Sequence, residues 1–421
     1  MSVVISNAYQ MPNQRPNLPE KRHLVQIEPT SVNPSSANPL HGGAVLEFLN
    51  LPTSSSAVGS FISTKESYIK VRCRATMTTN AKTCSLPKGG FANCIEEIRV
   101  TSSGYVVEDS KHHNLLRSFL MDMTEGDRRR DGVKDRLEGT AGDHDGFQFA
   151  RGTAKQTQEV ELCIPLVGQF WNSFHGMCPA HAITDLAYRL TLAKDLNCLV
   201  NTDSDIPVTL DVTHFTLHLC YVEVSPESRN MLSNRVGMNW TAPAWETIRD
   251  NLSAVAQETL KIPSAKSSVK TLAVTFQSPS ADNVSTAEAD PSARTDPQID
   301  EYQYNVNGEL YPRNPVLGKT QMLKELMRSF HEDQAYNTRL VNFGVVPTAN
   351  VNPTDEHFAL SVSTESHGKS QSSYSGVSTL TQNPMVTIKC ASGNFTPTNV
   401  FYHVQFDQSY RIENGVVRVS Y

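Results

Sequence analysis

Hydrophobic and polar positions alternate with a period of two along most of this chain, and twice the alternation gives way to a helical stripe. The clearest strand runs through Ile69, Val71, Cys73, Ala75 and Met77, which alternate with Lys70, Arg72, Arg74 and Thr76. An earlier strand spans Ala44 to Leu51. Ile95, Ile98 and Val100 form a short extended run, Ser102-Ser103-Gly104 breaks it, and Val106-Val107 resumes it. Asp109 or Ser110 then offers an N-cap for a helix predicted over 111–124. Leu115, Leu116, Phe119, Leu120 and Met123 share one face of it, and Gly126 stands where a helix stop belongs. Half a chain later the order recurs: Tyr302, Tyr304 and Val306, then Asn307-Gly308, then Leu310-Tyr311-Pro312. A second helix is predicted over 320–332, with Met322, Leu323, Leu326, Met327 and Phe330 on one face. An amphipathic stripe alone is common. Strand, glycine turn and helix repeated at a nearly constant offset point to a duplicated domain.

The remaining strands fit that frame. In the first half they are Glu159 to Leu166, then Leu186, Tyr188, Leu190 and Leu192, then Phe215, Leu217, Leu219 and Tyr221. In the second they are Leu260 to Pro263, Leu272 to Phe276, His357 to Val362, Val386 to Cys390 and Tyr402 to Phe406. A closing hairpin runs from Ile412 to Tyr421 around Asn414-Gly415. Three stretches carry no period. Residues 1–40, rich in Asn, Pro, Ser and Gln, read as an arm that orders against a partner, while 124–158 and 278–298 read as exposed inserts. Many short strands with 23 Pro and 22 Gly predict an all-β fold with one sandwich in each half: 41–225, a connector over 226–239, and 240–421.

Composition narrows the function classes. A chain of 421 residues, 19% charged and 38% hydrophobic, is globular and long enough for two domains. A net charge of −6 argues against a dedicated nucleic-acid binder. The eight cysteines (Cys73, Cys84, Cys94, Cys163, Cys178, Cys198, Cys220 and Cys390) form no CxxC pair, and several sit in apolar strand runs, which predicts free thiols in a reducing compartment. Met1 to Asn7 lacks the apolar core and basic flank of a signal peptide, and no run of ~18 apolar residues predicts a membrane span.

Sites of chemistry are conspicuous by their incompleteness. Ser366-His367-Gly368-Lys369-Ser370 ends like a phosphate-binding loop, but Ser363 stands where the first glycine belongs and no helix pattern follows. Asp143-His144-Asp145-Gly146 lacks the spacing and bidentate Glu of a calcium loop. His112-His113 and His331-Glu332-Asp333 flank the two helices, and adjacent histidines face different ways, so a shared metal is not expected. Arg128-Arg129-Arg130 is flanked by Asp127 and Asp131 and reads as a solvated loop. Sequons at Asn239, Asn251, Asn283 and Asn394 carry no meaning without secretion. No catalytic, cofactor-binding or metal-ligating residues are assigned, and no cofactor is expected.

Laid out in order, the chain resembles the double jelly-roll major capsid proteins of icosahedral double-stranded DNA viruses, within the polinton, adintovirus, polinton-like virus and virophage group. The resemblance rests on Ile95-Glu96-Glu97-Ile98-Arg99-Val100 through Val107-Glu108-Asp109 with His113-Asn114-Leu115-Leu116. It rests also on Cys163-Ile164-Pro165-Leu166 with Gly168 and Phe170, on Tyr221-Val222-Glu223-Val224-Ser225-Pro226-Glu227, and on Ile412 with Asn414-Gly415-Val416-Val417. No second-half counterpart of Ile164-Pro165-Leu166 is legible between 340 and 380. The resemblance implies two tandem eight-stranded jelly rolls and a homotrimer that forms pseudo-hexameric capsomers in a viral shell. It also implies neighbouring trimers, a penton protein and minor capsid or cement proteins as partners. The protein would then be a non-enzymatic virion component assembled in host cytoplasm or nucleus. A β-sandwich carbohydrate-binding module or glycoside hydrolase is the alternative, and for the hydrolase no carboxylate pair stands out.

Overall fold

The computed structural model describes residues 21–52, 61–77, 84–87, 89–124, 137–139, 148–149, 157–174, 176–194, 200–201, 208–223, 238–278, 294–330, 358–365, 375–391 and 393–421. The first half gives β1 (Lys21–Ile27), β2 (Val45–Leu51), β3 (Phe61–Met77), β4 (Cys84–Ser85), β5 (Ile95–Ser102) and β6 (Tyr105–Ser110). Helix α1 (His113–Thr124) leaves β6. Then come β7 (Gln148–Phe149), β8 (Thr157–Pro165), β9 (Met177–Cys178), β10 (Leu186–Leu192), β11 (Val200–Asn201) and β12 (Val208–Glu223). The second half gives β13 (Met238–Leu252), β14 (Gln257–Lys261), β15 (Val269–Gln277), β16 (Ile299–Val306) and β17 (Glu309–Leu317). Helix α2 (Gly318–Ser329) leaves β17, and β18 (Ala359–Ser363), β19 (Met385–Cys390), β20 (Thr398–Glu413) and β21 (Val416–Ser420) close the chain.

The duplication is visible in the pairing. The first half forms sheets ordered β1-β12-β3-β8 and β2-β10-β5-β6, and the second forms β13-β20-β15-β18 and β14-β19-β16-β17. Each strand of the two first-half sheets has a second-half counterpart at the same place in both the chain and the sheet. The two long helices leave equivalent strands, β6 and β17. The sheet β11-β4-β7 and the short strand β9 are additions to the first half, and β21 extends the second. The protein is therefore all-β, with two eight-stranded jelly-roll sandwiches in tandem. The segment without a legible counterpart resolves too: β18 occupies in its sheet the place that β8, with Ile164-Pro165, holds in the first.

The period-two pattern explains the layers. On β10, Leu186, Tyr188, Leu190 and Leu192 are buried. They face the core with Ile95, Ile98 and Val100 of β5, Ile69, Val71, Cys73 and Ala75 of β3, and Phe215, Leu217 and Leu219 of β12. Three tight hairpins set the register: Ser103-Gly104, Asn307-Gly308 and Asn414-Gly415 all have positive φ at both loop positions. They bring Ser102 opposite Tyr105, Val306 opposite Glu309 and Glu413 opposite Val416. That geometry follows the right-handed strand twist, and Asn or Gly adopts it with least strain.

Several expectations are corrected. The arm expected over 1–40 is in part a strand: all seven residues of β1 pair with β12, from Lys21 opposite Glu223 to Ile27 opposite Leu217. Only Val25 and Ile27 lean on the core while Leu24 is exposed, so β1 shows little hydrophobic signal. Residues 1–20 lie outside the described residues. The connector expected over 226–239 ends inside β13, which starts at Met238; residues 226–237 lie outside the described ones. Neither Asp109 nor Ser110 caps α1. His112, with φ 52°, precedes the helix, and its carbonyl accepts the Leu116 N–H.

The two halves also exchange parts, which the repeat does not suggest. Phe119 and Met123 of α1 are buried in the second sandwich's hydrophobic cluster. Met238, Trp240 and Ala242 of β13, Tyr410 and Ile412 of β20, and Val417 of β21 belong to the first. Cys73, Cys94, Cys163, Cys178, Cys220 and Cys390 keep their thiols and take part in no disulfide, in line with the expectation. No described helix is long and apolar enough to cross a membrane.

Candidate functional site

The residues singled out from sequence do not converge. Asp143 to Gly146, Arg128 to Arg130, His331 to Asp333, Ser366 to Ser370 and Asn283 lie outside the described residues. His112 is half-buried, with its ring edge-on to Phe401 at 5.6 Å and Nδ1 3.9 Å from the Glu96 carboxylate. His113 is turned elsewhere. Both its ring nitrogens are buried, and burial, reinforced by the nearby Arg117 charge, lowers its pKa from 6.5 to about 3. The adjacent pair thus shares no ligand. Asn239, Asn251 and Asn394 are exposed. Among the described residues no group of three His, Cys, Asp or Glu could hold a metal ion.

The most developed polar arrangement lies where the sandwiches meet. Glu108, on β6, is buried, and its carboxylate accepts the backbone N–H groups of Gln169 at 2.9 Å and Phe170 at 2.8 Å. The Ser110 hydroxyl donates a third bond at 2.8 Å. These N–H groups open the single helical turn Gln169–Asn172, whose first donors have no partner within the turn. Burial raises the Glu108 pKa above its ordinary 4.5, and the two backbone donors oppose that shift. Gly168 completes the fit, because a Cβ there would stand 3.0 Å from Glu108 Oε2 and the residue has φ 121°.

Gln169 then reaches across. Its amide donates from Nε2 to the Trp245 carbonyl at 2.5 Å, and its Oε1 accepts the Trp245 N–H at 2.7 Å. One side chain so satisfies both backbone groups of a residue on β13, which among the described residues is an edge strand of its sheet. Nearby, Trp240 donates from its indole to Ser173 Oγ at 3.1 Å and stacks on Tyr410 at 5.1 Å. The Thr184 N–H donates to the Gly415 carbonyl at 2.7 Å, and the Val417 N–H to Ser102 Oγ at 3.1 Å, which docks the C-terminal hairpin on the first sandwich.

A second joint sits under α1. Phe119 stacks on His403 at 5.0 Å and meets Phe330 edge-on at 5.3 Å, while Arg294 pairs with the fully buried Asp122 at 2.7 Å. His403 is bonded at both nitrogens, to Thr247 Oγ1 and Thr275 Oγ1, each at 3.0 Å. Burial, with the Arg294 and His112 charges adding to it, holds its pKa down at about 3.

Between the joints opens a cleft of about 650 Å³, lined among others by Val107, Lys111, His112, Trp245, Arg249 and Tyr421. Its carboxylates are Glu108, Asp109 and Glu246. Glu108 is spent on the three bonds above. Glu246 accepts from Ser264 Oγ at 2.8 Å and faces Lys266 at 3.3 Å. A glycosidase needs one proton-donating carboxyl and a second carboxylate free to act on substrate, and these two are committed to structural contacts. The other surface feature is apolar. Leu24, Leu49, Leu310, Leu317 and Leu380 are each about half exposed, scattered along both halves.

Two antiparallel jelly rolls of equal topology in one chain, locked by shared cores, define the double jelly-roll fold of viral major capsid proteins. Solved structures agree with this. PBCV-1 VP54, as fitted into a reconstruction of the virophage Sputnik, superposes with a TM-score of 0.60 at 10% identity, covering 97% of this chain and 98% of that one. The mavirus major capsid protein gives 0.59 at 12% identity, covering 94% and 90%. The Sputnik virophage structure gives 0.57 at 13% identity, covering 100% and 93%. At these identities the likeness is one of fold. No protein-family model and no curated protein sequence matches the chain.

Proposed function

We propose that this chain is a structural major capsid protein that assembles as a homotrimer, each trimer a pseudo-hexameric capsomer of an icosahedral shell. The observation that carries the reading is the exact repetition of strand order, with a helix leaving the equivalent strand, inside one interlocked protomer. Three such protomers about a threefold axis present six similar sandwiches, a nearly hexagonal outline that tiles a surface. The fold neighbours support it, being major capsid proteins and a virophage particle. The division into a first roll ending near 225 and a second beginning near 240 belongs to this proposal, with the first extended back to β1. So do the neighbouring trimers, penton protein and minor capsid or cement proteins as partners, residence in the virion, assembly in host cytoplasm or nucleus, and the absence of an enzymatic role.

Light scattering on the purified chain tests the proposal. A particle of three chain masses, appearing as six-lobed plates by negative stain, is expected. A stable monomer that cleaves or binds sugars would refute it.

A further inference from the structure

The sheet β13-β20-β15-β18 buries a lysine between two carboxylates on the face opposite Tyr402 and Val404. Lys270 Nζ lies 3.1 Å from Asp407 Oδ1 and 3.5 Å from Glu365 Oε1. The lysine is 8% exposed and Asp407 2%. A β-bulge makes the arrangement. Val269 pairs with Phe406 and Thr271 with Gln405, so Lys270 is the extra residue, turned to the same face as Asp407. Every member is held. Ser268 Oγ donates to Asp407 Oδ2 at 2.7 Å, and the Asp407 N–H donates to the Ser268 carbonyl at 3.0 Å. Ser375 Oγ donates to Glu365 Oε1 at 2.9 Å, and the neighbouring Thr364 N–H donates to the Lys270 carbonyl at 2.9 Å.

One ammonium between two carboxylates in a dry site is a poor electrostatic arrangement, since one ion pair does not offset the desolvation of three charges. Condensing two of them leaves one buried charge in place of three, the Glu365 carboxylate that the Ser375 hydroxyl holds. We propose that Lys270 and Asp407 become joined by an amide bond within the folded chain, with Glu365 as the proton carrier. In the step, Nζ attacks Asp407 Cγ and the new C–N bond forms. Oδ2, under the Ser268 hydroxyl, takes the developing negative charge and remains as the amide oxygen. Glu365 removes protons from nitrogen and delivers them to Oδ1, the Cγ–Oδ1 bond breaks, and one water leaves. Glu365 ends as it began, and neither an oxidant nor a cofactor enters. Holding the three groups in contact supplies the orientation that an amine and an acid lack in solution. The bond would tie β15 to β20, the strand at the heart of the second sandwich.

The test is the intact mass of the purified full-length chain after denaturation, with peptide mapping. The expected mass is below that of the sequence by one water, with the Lys270 and Asp407 peptides recovered joined. Asp407→Asn should lose one ammonia instead. Glu365→Gln, which keeps size and hydrogen bonding, should retain its full mass; water loss in that variant would overturn the role given to Glu365. Full sequence mass in the folded wild-type protein, with the two peptides recovered separately, would overturn the bond and leave an ion pair.

Discussion

Truncating Phe119 to alanine isolates the interlock between the two rolls. Phe119 is carried by first-half sequence on α1, is fully buried, and packs in the second sandwich's cluster. Losing a buried phenylalanine ring costs about 3–5 kcal/mol in transfer and cavity terms. The ring also stacks on His403, meets Phe330 edge-on and lies 5.6 Å from the Arg294 guanidinium. Such contacts add roughly 0.5–1.5 kcal/mol beyond burial. A destabilisation of about 4 kcal/mol is therefore expected for Phe119→Ala, against less than about 0.5 kcal/mol for Leu24→Ala at a half-exposed position. Urea unfolding gives the total, and amide hydrogen exchange gives the location. Because His403 bonds Thr247 and Thr275, protection should fall first in β13, β15 and β20, while β3 and β12 keep theirs. A loss below about 1 kcal/mol, or protection lost first in β3 and β12, would refute the claim that α1 is part of the second core.

Deleting residues 1–28 removes β1 and its seven register pairs with β12, and should lower the melting temperature of the protomer measured by calorimetry. Gly376→Ala should prevent or severely weaken folding, read as loss of soluble protein, because a Cβ there would stand 2.1 Å from the Val269 carbonyl oxygen, a backbone atom that cannot step aside. His403 has a folded pKa of about 3 against 6.5 in an unfolded chain. Its contribution, at most on the order of 5 kcal/mol, is therefore full above pH 6.5 and lost as pH falls from there towards 3. His403→Gln should flatten the melting temperature across that window relative to wild type.

The strands that sequence reveals and those it hides differ in how many of their faces meet a core. β3 and β10 alternate cleanly because one face is buried and the other wet. The hairpin at Asn414-Gly415 is legible because positive φ at two successive positions selects those residues. β1 is an edge strand with two core-facing residues, so its polar pattern reads as an arm. β13 contains Pro243, which weighs against a strand unless the strand is an edge, as it is here. β18, five residues long and buried on nearly every position, is read as a strand over 357–362, but that uniform pattern gives no sign that it is the counterpart of β8.

Neither joint was legible for a further reason: each is made by residues whose local signal is spent on something else. Leu116, Phe119 and Met123 announce an amphipathic helix, but periodicity gives the presence of a buried face and not the surface that buries it. In sequence Glu108 and Gln169 look like solvent-facing residues, the first on a strand and the second after Gly168. Their role appears only when the chain places a free edge residue, Trp245, opposite a side-chain amide of matching geometry. The topology repeats because both halves solve the same problem of closing a sandwich. The parts that do not repeat (the docked C-terminal hairpin, the exchanged aromatic residues, the Gln169 bridge) act between the halves, where a duplicated sequence had no partner of its own to copy. In such a chain the departures from internal symmetry mark the contacts that hold the two rolls together.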